Sequence, residues 1–211
     1  MATLADPLAS IVHALYGMTL DGKTVLIIGD GPMVAIAAVC ARECAAHVSI
    51  AVKDDTRISR VSGFADHVVT VEDLLVTHYD VVLEAVGGIS SAPILTAILA
   101  VAPLGQVVAL GVYRPDLAAV IPVRTLLEKE STLGGSKAYR VSAERDDFAT
   151  AFEHLATCRD AYSPIITCTP PWSPDDPQPP ELERRNGTLK TVHVRVPPGP
   201  YDTRPRMRKP R

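Results

Sequence analysis

Residues 24–32 read TVLIIGDGP, a short apolar run that is broken by two glycines and a proline. The run from Thr24 to Ile28 is rich in β-branched residues and apolar on both faces, which is typical of a buried strand in a parallel sheet. The glycines end that strand, and the alanine-rich residues 33–44 predict a helix. A strand, a glycine turn and a helix in this order present free N–H groups and the positive end of a helix dipole, which together bind phosphate.

The alternation of strand and helix continues beyond this turn. Further strands are predicted at 47–52, 67–70, 79–85 and 106–110, and helical segments at 56–63, 71–76 and 91–101. Strands that alternate with helices at this spacing form a parallel sheet with helices on both faces. The sequence therefore predicts an α/β fold with a doubly wound parallel sheet.

Helical and irregular segments flank this core. Asp6-Pro7 predicts a helix start, with the Asp6 side chain as its cap and the proline in its first turn. Residues 142–157 carry apolar side chains at helical spacing and predict an amphipathic helix. Eleven of the eighteen prolines fall between Pro170 and Arg211, which predicts an irregular end in which residues 188–196 alternate like a strand.

The composition indicates a soluble protein of one domain plus an appendage. The chain has 211 residues, of which 47% are hydrophobic, and its formal net charge of -3 makes nucleic acid or an anionic membrane an improbable main partner. Neither a signal peptide nor an uninterrupted membrane-spanning run is visible, so we expect a cytoplasmic protein. The basic residues 204–211 predict a disordered charged end rather than a nucleic-acid arm. No disulfide framework is apparent among Cys40, Cys44, Cys158 and Cys168.

The glycine turn departs in two ways from the complete dinucleotide-binding motif, G-x-G-x-x-G. Gly29 and Gly31 match its first two glycines, but Val34 stands where the third glycine would let helix and strand approach closely. Asp30 places a negative charge in the loop that would receive a diphosphate. Taken alone, the turn is equally compatible with dinucleotide binding and with a tight turn in another α/β protein.

The residues after the second strand bear on the choice between NAD and NADP. An acidic residue there binds the ribose 2′-hydroxyl of NAD, whereas a basic residue favours the 2′-phosphate of NADP. Ungapped counting puts Lys53 at this position, and a slip of one residue puts Asp54 there. Both cofactors therefore stay open, while Asp55 is predicted to be solvated.

Segments spread along the chain carry a further pattern. They are DPL (6–8) with His13, GKTVLIIGDGP (22–32), ADHV (65–68), YDVVLEAVG (79–87), GQVVALG (105–111), Glu130 and Gly135-Ser136. In this order they resemble the coenzyme domain of the medium-chain dehydrogenases, the family of the zinc-type alcohol dehydrogenases, and above all its polyol and sorbitol dehydrogenase branch. The resemblance extends over roughly three quarters of the chain and is far more specific than the glycine turn.

The resemblance implies a dinucleotide site. By position, Gly29, Gly31 and Pro32 would hold the pyrophosphate, Lys53, Asp54 and Arg57 would surround the adenosine ribose, and Val86, Gly87, Gly111 and Val112 would border the nicotinamide. Lys190 matches a basic residue of the family's last strand that reaches back to the pyrophosphate, or else is a solvated strand lysine. Asp6 occupies the place of a glutamate near the family's catalytic zinc, although helix capping alone accounts for it.

The resemblance also implies domains and a reaction. The domains are a linking helix at 1–20, the NAD(P)-binding Rossmann domain at 21–137, a remnant of the catalytic domain's C-terminal part at 138–168, and an irregular tail at 169–211 with a strand at 188–196. The reaction is hydride transfer between NAD(P) and a small alcohol or polyol at a catalytic zinc. The family's zinc ligands lie on an N-terminal domain that this sequence lacks. We therefore expect a truncated form, weakly active or inactive unless a catalytic domain complements it, and a homodimer formed through the coenzyme domain's edge.

Three other classes of protein share parts of this pattern. A non-catalytic dinucleotide-binding or interaction module is the alternative to the dehydrogenase. A methyltransferase also uses a glycine turn after its first strand, but it explains neither the Asp-Pro helix nor Gly135-Ser136. A short-chain dehydrogenase needs a tyrosine followed four residues later by lysine, a pair that this sequence does not contain.

Overall fold

A six-stranded sheet forms the centre of the computed structural model, which describes residues 1–76, 78–168, 171–172, 189–192 and 194–195. Its strands lie in the order β3-β2-β1-β4-β5-β6, and all neighbours are parallel. The strands are β1 (Thr24–Ile28), β2 (His47–Val52), β3 (His67–Thr70), β4 (Tyr79–Glu84), β5 (Val101–Ala109) and β6 (Thr132–Gly135).

Seven α-helices are described in the same part of the chain. They are α1 (Ala5–Ala14), α2 (Pro32–Glu43), α3 (Ile58–Val61), α4 (Ala92–Ala100), α5 (Val123–Lys129), α6 (Asp147–Thr157) and α7 (Arg159–Tyr162). Short 3-10 turns lie at Ala2–Leu4, Asp55–Arg57, Glu72–Val76 and Ser163–Ile165, and short strands at β7 (Ile166–Cys168), β8 (Pro171–Trp172), β9 (Lys190–Thr191) and β10 (Val194–Arg195). None of these helices is long and apolar enough to cross a membrane.

The two faces of the sheet bury separate layers of apolar side chains. Val25 and Ile27 of β1 pack in one layer with α1, α2 and α6, whereas Leu26 and Ile28 pack in the other layer with α4. Successive side chains of a strand point to opposite faces, so an all-apolar strand is what a doubly wound sheet requires. The predicted α/β fold is confirmed.

Several predicted boundaries were wrong. The first helix begins at Ala5 rather than at a capping Asp6, because a 3-10 turn anchored by the buried Leu4 precedes it, and the Asp6 side chain makes no cap hydrogen bond. The amphipathic helix predicted from residue 142 begins at Asp147, since Asp146 caps it by accepting the Ala149 N–H at 2.8 Å. Of the predicted strand at 188–196, the described residues form two short pieces, β9 and β10.

A buried carboxylate joins α1 to α6. Asp147 is 2% exposed, and its Oδ2 lies 2.8 Å from Nδ1 of His13 and accepts the Arg140 N–H at 2.7 Å. The Nε of Arg145 donates to Oδ1 at 2.6 Å. Burial alone would raise the pKa of Asp147, but these three hydrogen bonds outweigh it and hold the pKa below its usual value.

Asp147→Asn is expected to lower the free energy of unfolding by about 3 kcal/mol at neutral pH, because it removes one partner of a buried charge pair. Since the folded-state pKa is lowered, this stabilisation is complete above the unfolded pKa of about 3.9 and is lost as the pH falls through the folded value. Urea unfolding at a series of pH values should therefore show that the free energies of unfolding of the wild type and of Asp147→Asn converge in acid.

The matched control is Asp116→Asn, which removes an exposed ion pair with Arg114 and should cost less than about 1 kcal/mol. If the free energy of unfolding of Asp147→Asn stays below that of the wild type by a constant amount down to acidic pH, the role assigned to the Asp147 charge is contradicted.

Candidate functional site

Four turns meet at one edge of the sheet. The carboxyl ends of β2, β1, β4 and β5 are neighbours in the strand order, and each is followed by a turn that the sequence singled out. Backbone hydrogen bonds hold these turns together, with the Gly29 N–H donating to Ala51 and the Ala85 N–H to Ile28. The carboxyl edge of a doubly wound sheet, near the point where the strand order reverses, is where such folds bind ligands.

The β1–α2 turn combines one constrained glycine with one open glycine. Gly29 has a φ of +133°, and a Cβ added there would lie 2.9 Å from Cγ2 of Val34, so a side chain is excluded. Gly31 has an extended backbone, and a Cβ added there would meet nothing within 4 Å. The buried Val34 thus packs over Gly29 in place of the missing third glycine, while the space beside Gly31 stays free.

Few N–H groups at the start of α2 remain available to a ligand. Pro32 at the first helical position has no N–H, and the Val34 and Ala35 N–H groups donate to the Gly31 carbonyl at 3.1 and 3.3 Å. Within the described chain, no hydrogen bond engages the N–H of Gly31 or of Met33. These two groups lie at the positive end of the helix and beside the open space, as an anion site requires.

The negative charge of Asp30 is compensated. Its Oδ2 accepts hydrogen bonds from Arg57 and Arg60, both at 2.7 Å. The repulsion of a diphosphate that the sequence suggested is therefore offset by two guanidinium groups. Arg57 was predicted to lie near the adenosine ribose, and Arg60 was missed because no sequence pattern pairs it with a residue thirty positions earlier.

The turn after β2 carries both residues that bear on cofactor choice. The Asp54 carboxylate accepts a hydrogen bond from the Thr56 hydroxyl and lies 3.4 Å from Nε of Arg57. These contacts, the Thr56 hydrogen bond first, keep the pKa of Asp54 below its usual value. Lys53 is exposed directly after the strand.

Glu84 organises the turn after β4. Its side chain is fully buried, and Oε1 accepts the N–H groups of Val86 at 2.7 Å and Gly87 at 2.9 Å. The turn touches the one after β5, because a Cβ on Gly111 would lie 2.2 Å from the Gly87 nitrogen. Gly87 itself has a φ of +63°. Only glycine fits at both positions, so the two turns predicted to border the nicotinamide interlock.

Two buried polar atoms of this region have no partner in the described chain. Oε2 of Glu84 and the hydroxyl of Tyr113 have no hydrogen-bond partner among the described residues. Burial, and next the negative charge of Glu84, raise the pKa of Tyr113. Tyr113 was not predicted from the sequence, although it follows the predicted Val112 directly.

Two predicted residues lie apart from the four turns. Lys190 belongs to β9, which pairs with β7 in a separate two-stranded sheet, and no described contact joins it to the glycine turn. Asp6 lies in the first turn of α1, where its carbonyl accepts the Ser10 hydroxyl.

No metal centre is found in the described ranges, in which no group of three or more His, Cys, Asp or Glu residues fits an ion. Three histidines do line one cavity of about 420 Å³, together with Asp66 and neighbouring residues. His47 and His67 begin β2 and β3, and His78 precedes β4, so this cavity lies at the amino edge of the sheet, opposite the glycine turn. The described residues therefore do not fit the family's catalytic zinc.

Comparisons with known proteins identify the fold. L-idonate 5-dehydrogenase from Escherichia coli matches with a TM-score of 0.68 and 24% identity, covering 81% of this chain and 49% of its own. A protein described as a zinc-binding dehydrogenase from Sinorhizobium meliloti, solved with NADP, matches with a TM-score of 0.69 and 20% identity over 80% and 52%. TarJ from S. aureus, in complex with NADPH, matches with a TM-score of 0.66 and 23% identity over 80% and 54%.

These matches confirm the sequence-based resemblance at the level of the fold, which is a Rossmann-like sheet shared with these three proteins. The chain spans about half the length of the solved structures that it matches. No protein-family model matches the chain, and no curated protein matches it.

Proposed function

We propose that this chain binds NADP(H) and serves as the coenzyme-binding part of a zinc-type alcohol or polyol dehydrogenase. The observation that carries the proposal is the open space beside Gly31, next to the unbonded N–H groups of Gly31 and Met33. A pyrophosphate needs both close backbone approach and free donors at a helix N-terminus. The sequence resemblance and the dehydrogenase matches support the same assignment.

Local charge supports NADP(H) over NAD(H). The Asp54 carboxylate is already engaged by Thr56 and Arg57, which makes it a weaker acceptor for a ribose 2′-hydroxyl. Lys53 is exposed at the end of β2, where an ammonium group favours the 2′-phosphate of NADP. Two of the matching structures contain NADP or NADPH.

The cofactor, when bound, exchanges a hydride with an alcohol or carbonyl carbon. In this proposal the chain binds and orients it. Glu84 fixes the turn beside the nicotinamide, and Val86 and Val112, which are 49% and 82% exposed, offer apolar surface to the ring. Because the described residues do not fit a catalytic zinc, activation of the small alcohol or polyol is assigned to a complementing catalytic domain.

A non-catalytic dinucleotide-binding module is the second candidate. It is favoured because the described residues contain no cluster of His, Cys, Asp or Glu side chains that could bind a metal ion. Both candidates require cofactor binding and differ in turnover once a catalytic domain is supplied. We place the protein in the cytoplasm under either candidate function, where the free cysteines Cys40, Cys44 and Cys158 would stay reduced.

The purified chain is expected to bind NADPH with a Kd in the micromolar range and NADH about tenfold more weakly, as measured by calorimetric titration. Gly31→Val fills the open space at an extended backbone position that any residue adopts. It should lower NADPH affinity at least about tenfold, while the free energy of unfolding changes by less than about 0.5 kcal/mol.

Two variants sharpen this test. Lys53→Ala should weaken NADPH binding and leave NADH binding unchanged, whereas Gly63→Ala, which also adds a Cβ in open space but lies away from the four turns, should change neither. Absence of NADPH binding, or equal binding by wild type and Gly31→Val, would contradict the proposal. No reduction of NADP by an added alcohol or polyol is expected from the chain alone.

We also propose that two copies pair through β6. All four residues of this edge strand are exposed, and no strand of the described chain pairs with its outer side. Leu127 and Leu133 add apolar surface near the edge, being 72% and 37% exposed. An uncovered strand edge with nearby apolar side chains is a template for pairing with another chain.

Sedimentation equilibrium should give twice the mass of the 22.6 kDa chain. Leu133→Lys should shift the protein toward the single-chain mass, because it brings like charges together across the paired edges. A single-chain mass for the wild type at tens of micromolar would rule out this pairing.

A further inference from the structure

Asp30, Arg57 and Arg60 form an ion triad that joins the turn after β1 to the segment after β2. Asp30 stands between the two glycines of the turn, Arg57 ends a 3-10 turn, and Arg60 lies in α3. The Oδ2 atom of Asp30 accepts a hydrogen bond from Nη1 of each arginine at 2.7 Å. Two guanidinium groups therefore converge on one carboxylate oxygen beside the glycine turn.

Most donor groups of the two arginines remain available. A guanidinium group carries five N–H groups, and Asp30 engages only Nη1 of each arginine. The one further polar contact of these side chains in the described chain is that of Arg57 Nε, which lies 3.4 Å from Oδ2 of Asp54. The Arg57 and Arg60 side chains are 39% and 22% exposed. The triad therefore has free donors that an anion can reach from solvent.

A phosphate group matches this arginine pair better than a hydroxyl group does. Phosphate oxygens accept paired hydrogen bonds from the planar guanidinium group, and the phosphate charge attracts both cations. The neutral 2′-hydroxyl of NAD(H) brings no charge with which to replace a carboxylate. In a dinucleotide fold the adenosine ribose lies near the end of the second strand, and both arginines follow β2 closely in the chain. The 2′-phosphate of NADP(H) is therefore the ligand group that can compete with Asp30.

We propose that Asp30 is a specificity-determining residue, an internal counter-ion that occupies the arginine pair in the free chain and yields it to the 2′-phosphate of NADP(H). This role depends on the proposed function, the binding of NADP(H). When the cofactor binds, the arginines exchange the Asp30 oxygen for phosphate oxygens, and the Asp30 carboxylate, which is 22% exposed, becomes solvated. Because the carboxylate competes with the phosphate and repels it, Asp30 lowers the affinity for ligands that carry a 2′-phosphate.

The Asp30 charge matters less for NAD(H). Binding of NAD(H) leaves both ion pairs in place, because its adenosine ribose carries no charged group. The pyrophosphate is assigned to the N–H groups of Gly31 and Met33 rather than to the arginines. Removal of the Asp30 charge should therefore strengthen the binding of NADPH much more than the binding of NADH.

The test is calorimetric titration of the full chain with NADPH and NADH, which differ only in the 2′-phosphate. Asp30→Asn removes the charge and keeps a side-chain oxygen that can accept from the arginines. It should bind NADPH about tenfold more tightly than the wild type does, whereas the NADH affinity changes less than about threefold. The gain should shrink as salt is added, because salt screens partly exposed charges. Asp30→Ala, a second uncharged variant, should show the same gain.

Two further variants locate the effect. Asp30→Asn combined with Arg60→Gln should lose the gain, because one of the two guanidinium groups is missing. Asp55→Asn is the matched control, since Asp55 is exposed in the same segment after β2 and its carboxylate forms no ion pair in the described chain. It removes one negative charge and should change the NADPH affinity less than about twofold.

Each other result has a defined meaning. An equal gain in Asp55→Asn, or a gain that persists in the double variant, overturns the role of the arginine pair. If the wild type binds NADPH and neither Asp30→Asn nor Asp30→Ala binds it more tightly, the role of Asp30 is overturned and the proposed function stands. Absence of NADPH binding in the wild type and in every variant overturns both.

Discussion

The approach of two backbones at the carboxyl ends of β4 and β5 is the constraint around which the site is built. A Cβ at Gly87 would lie 2.4 Å from the Val112 carbonyl oxygen, and one at Gly111 would lie 2.2 Å from the Gly87 nitrogen. The fully buried Glu84 holds this contact by accepting two N–H groups of the first turn. A buried carboxylate is costly to desolvate and is kept where hydrogen bonds compensate it. Because β1 is the neighbour of β4 in the sheet, the glycine turn that follows β1 lies beside this contact.

Charge compensation makes the glycine turn compatible with a diphosphate. Asp30 alone would repel such a ligand, yet its carboxylate is shared by Arg57 and Arg60. The same arginines connect the turn after β1 to the segment after β2, because Arg57 also pairs with Asp54. An incomplete glycine motif thus belongs to a site whose electrostatics are balanced by residues outside the motif.

The sequence predicted those parts of the fold in which local pattern and tertiary role coincide. The apolar strands β1, β2 and β4 are confirmed because strands buried on both faces need continuous apolar runs. Strand β6 was not predicted, because its residues Thr-Leu-Gly-Gly are all exposed and show no alternation of apolar and polar side chains. The cap assigned to Asp6 was wrong because the preceding turn, packed through Leu4, extends the helix toward the N-terminus.

In the site, too, features with a local sequence pattern were predicted and features set by contacts between distant residues were not. The positions of Gly29, Gly31, Gly87 and Gly111 follow from their places after strands, and all four lie at the carboxyl edge of the sheet. Contacts between distant residues, such as Asp30 with Arg60 and His13 with Asp147, leave no local pattern. Lys190, assigned through resemblance alone, lies on a separate sheet.

The most direct test of the central claim, that the carboxyl edge of the sheet binds a dinucleotide, is amide hydrogen exchange with and without saturating NADPH. We expect exchange to slow in residues 29–34, 86–88 and 111–113, and to stay unchanged around His47, His67 and His78 at the opposite edge. Unchanged exchange in all of these segments, or protection confined to the histidine cavity, would contradict the account.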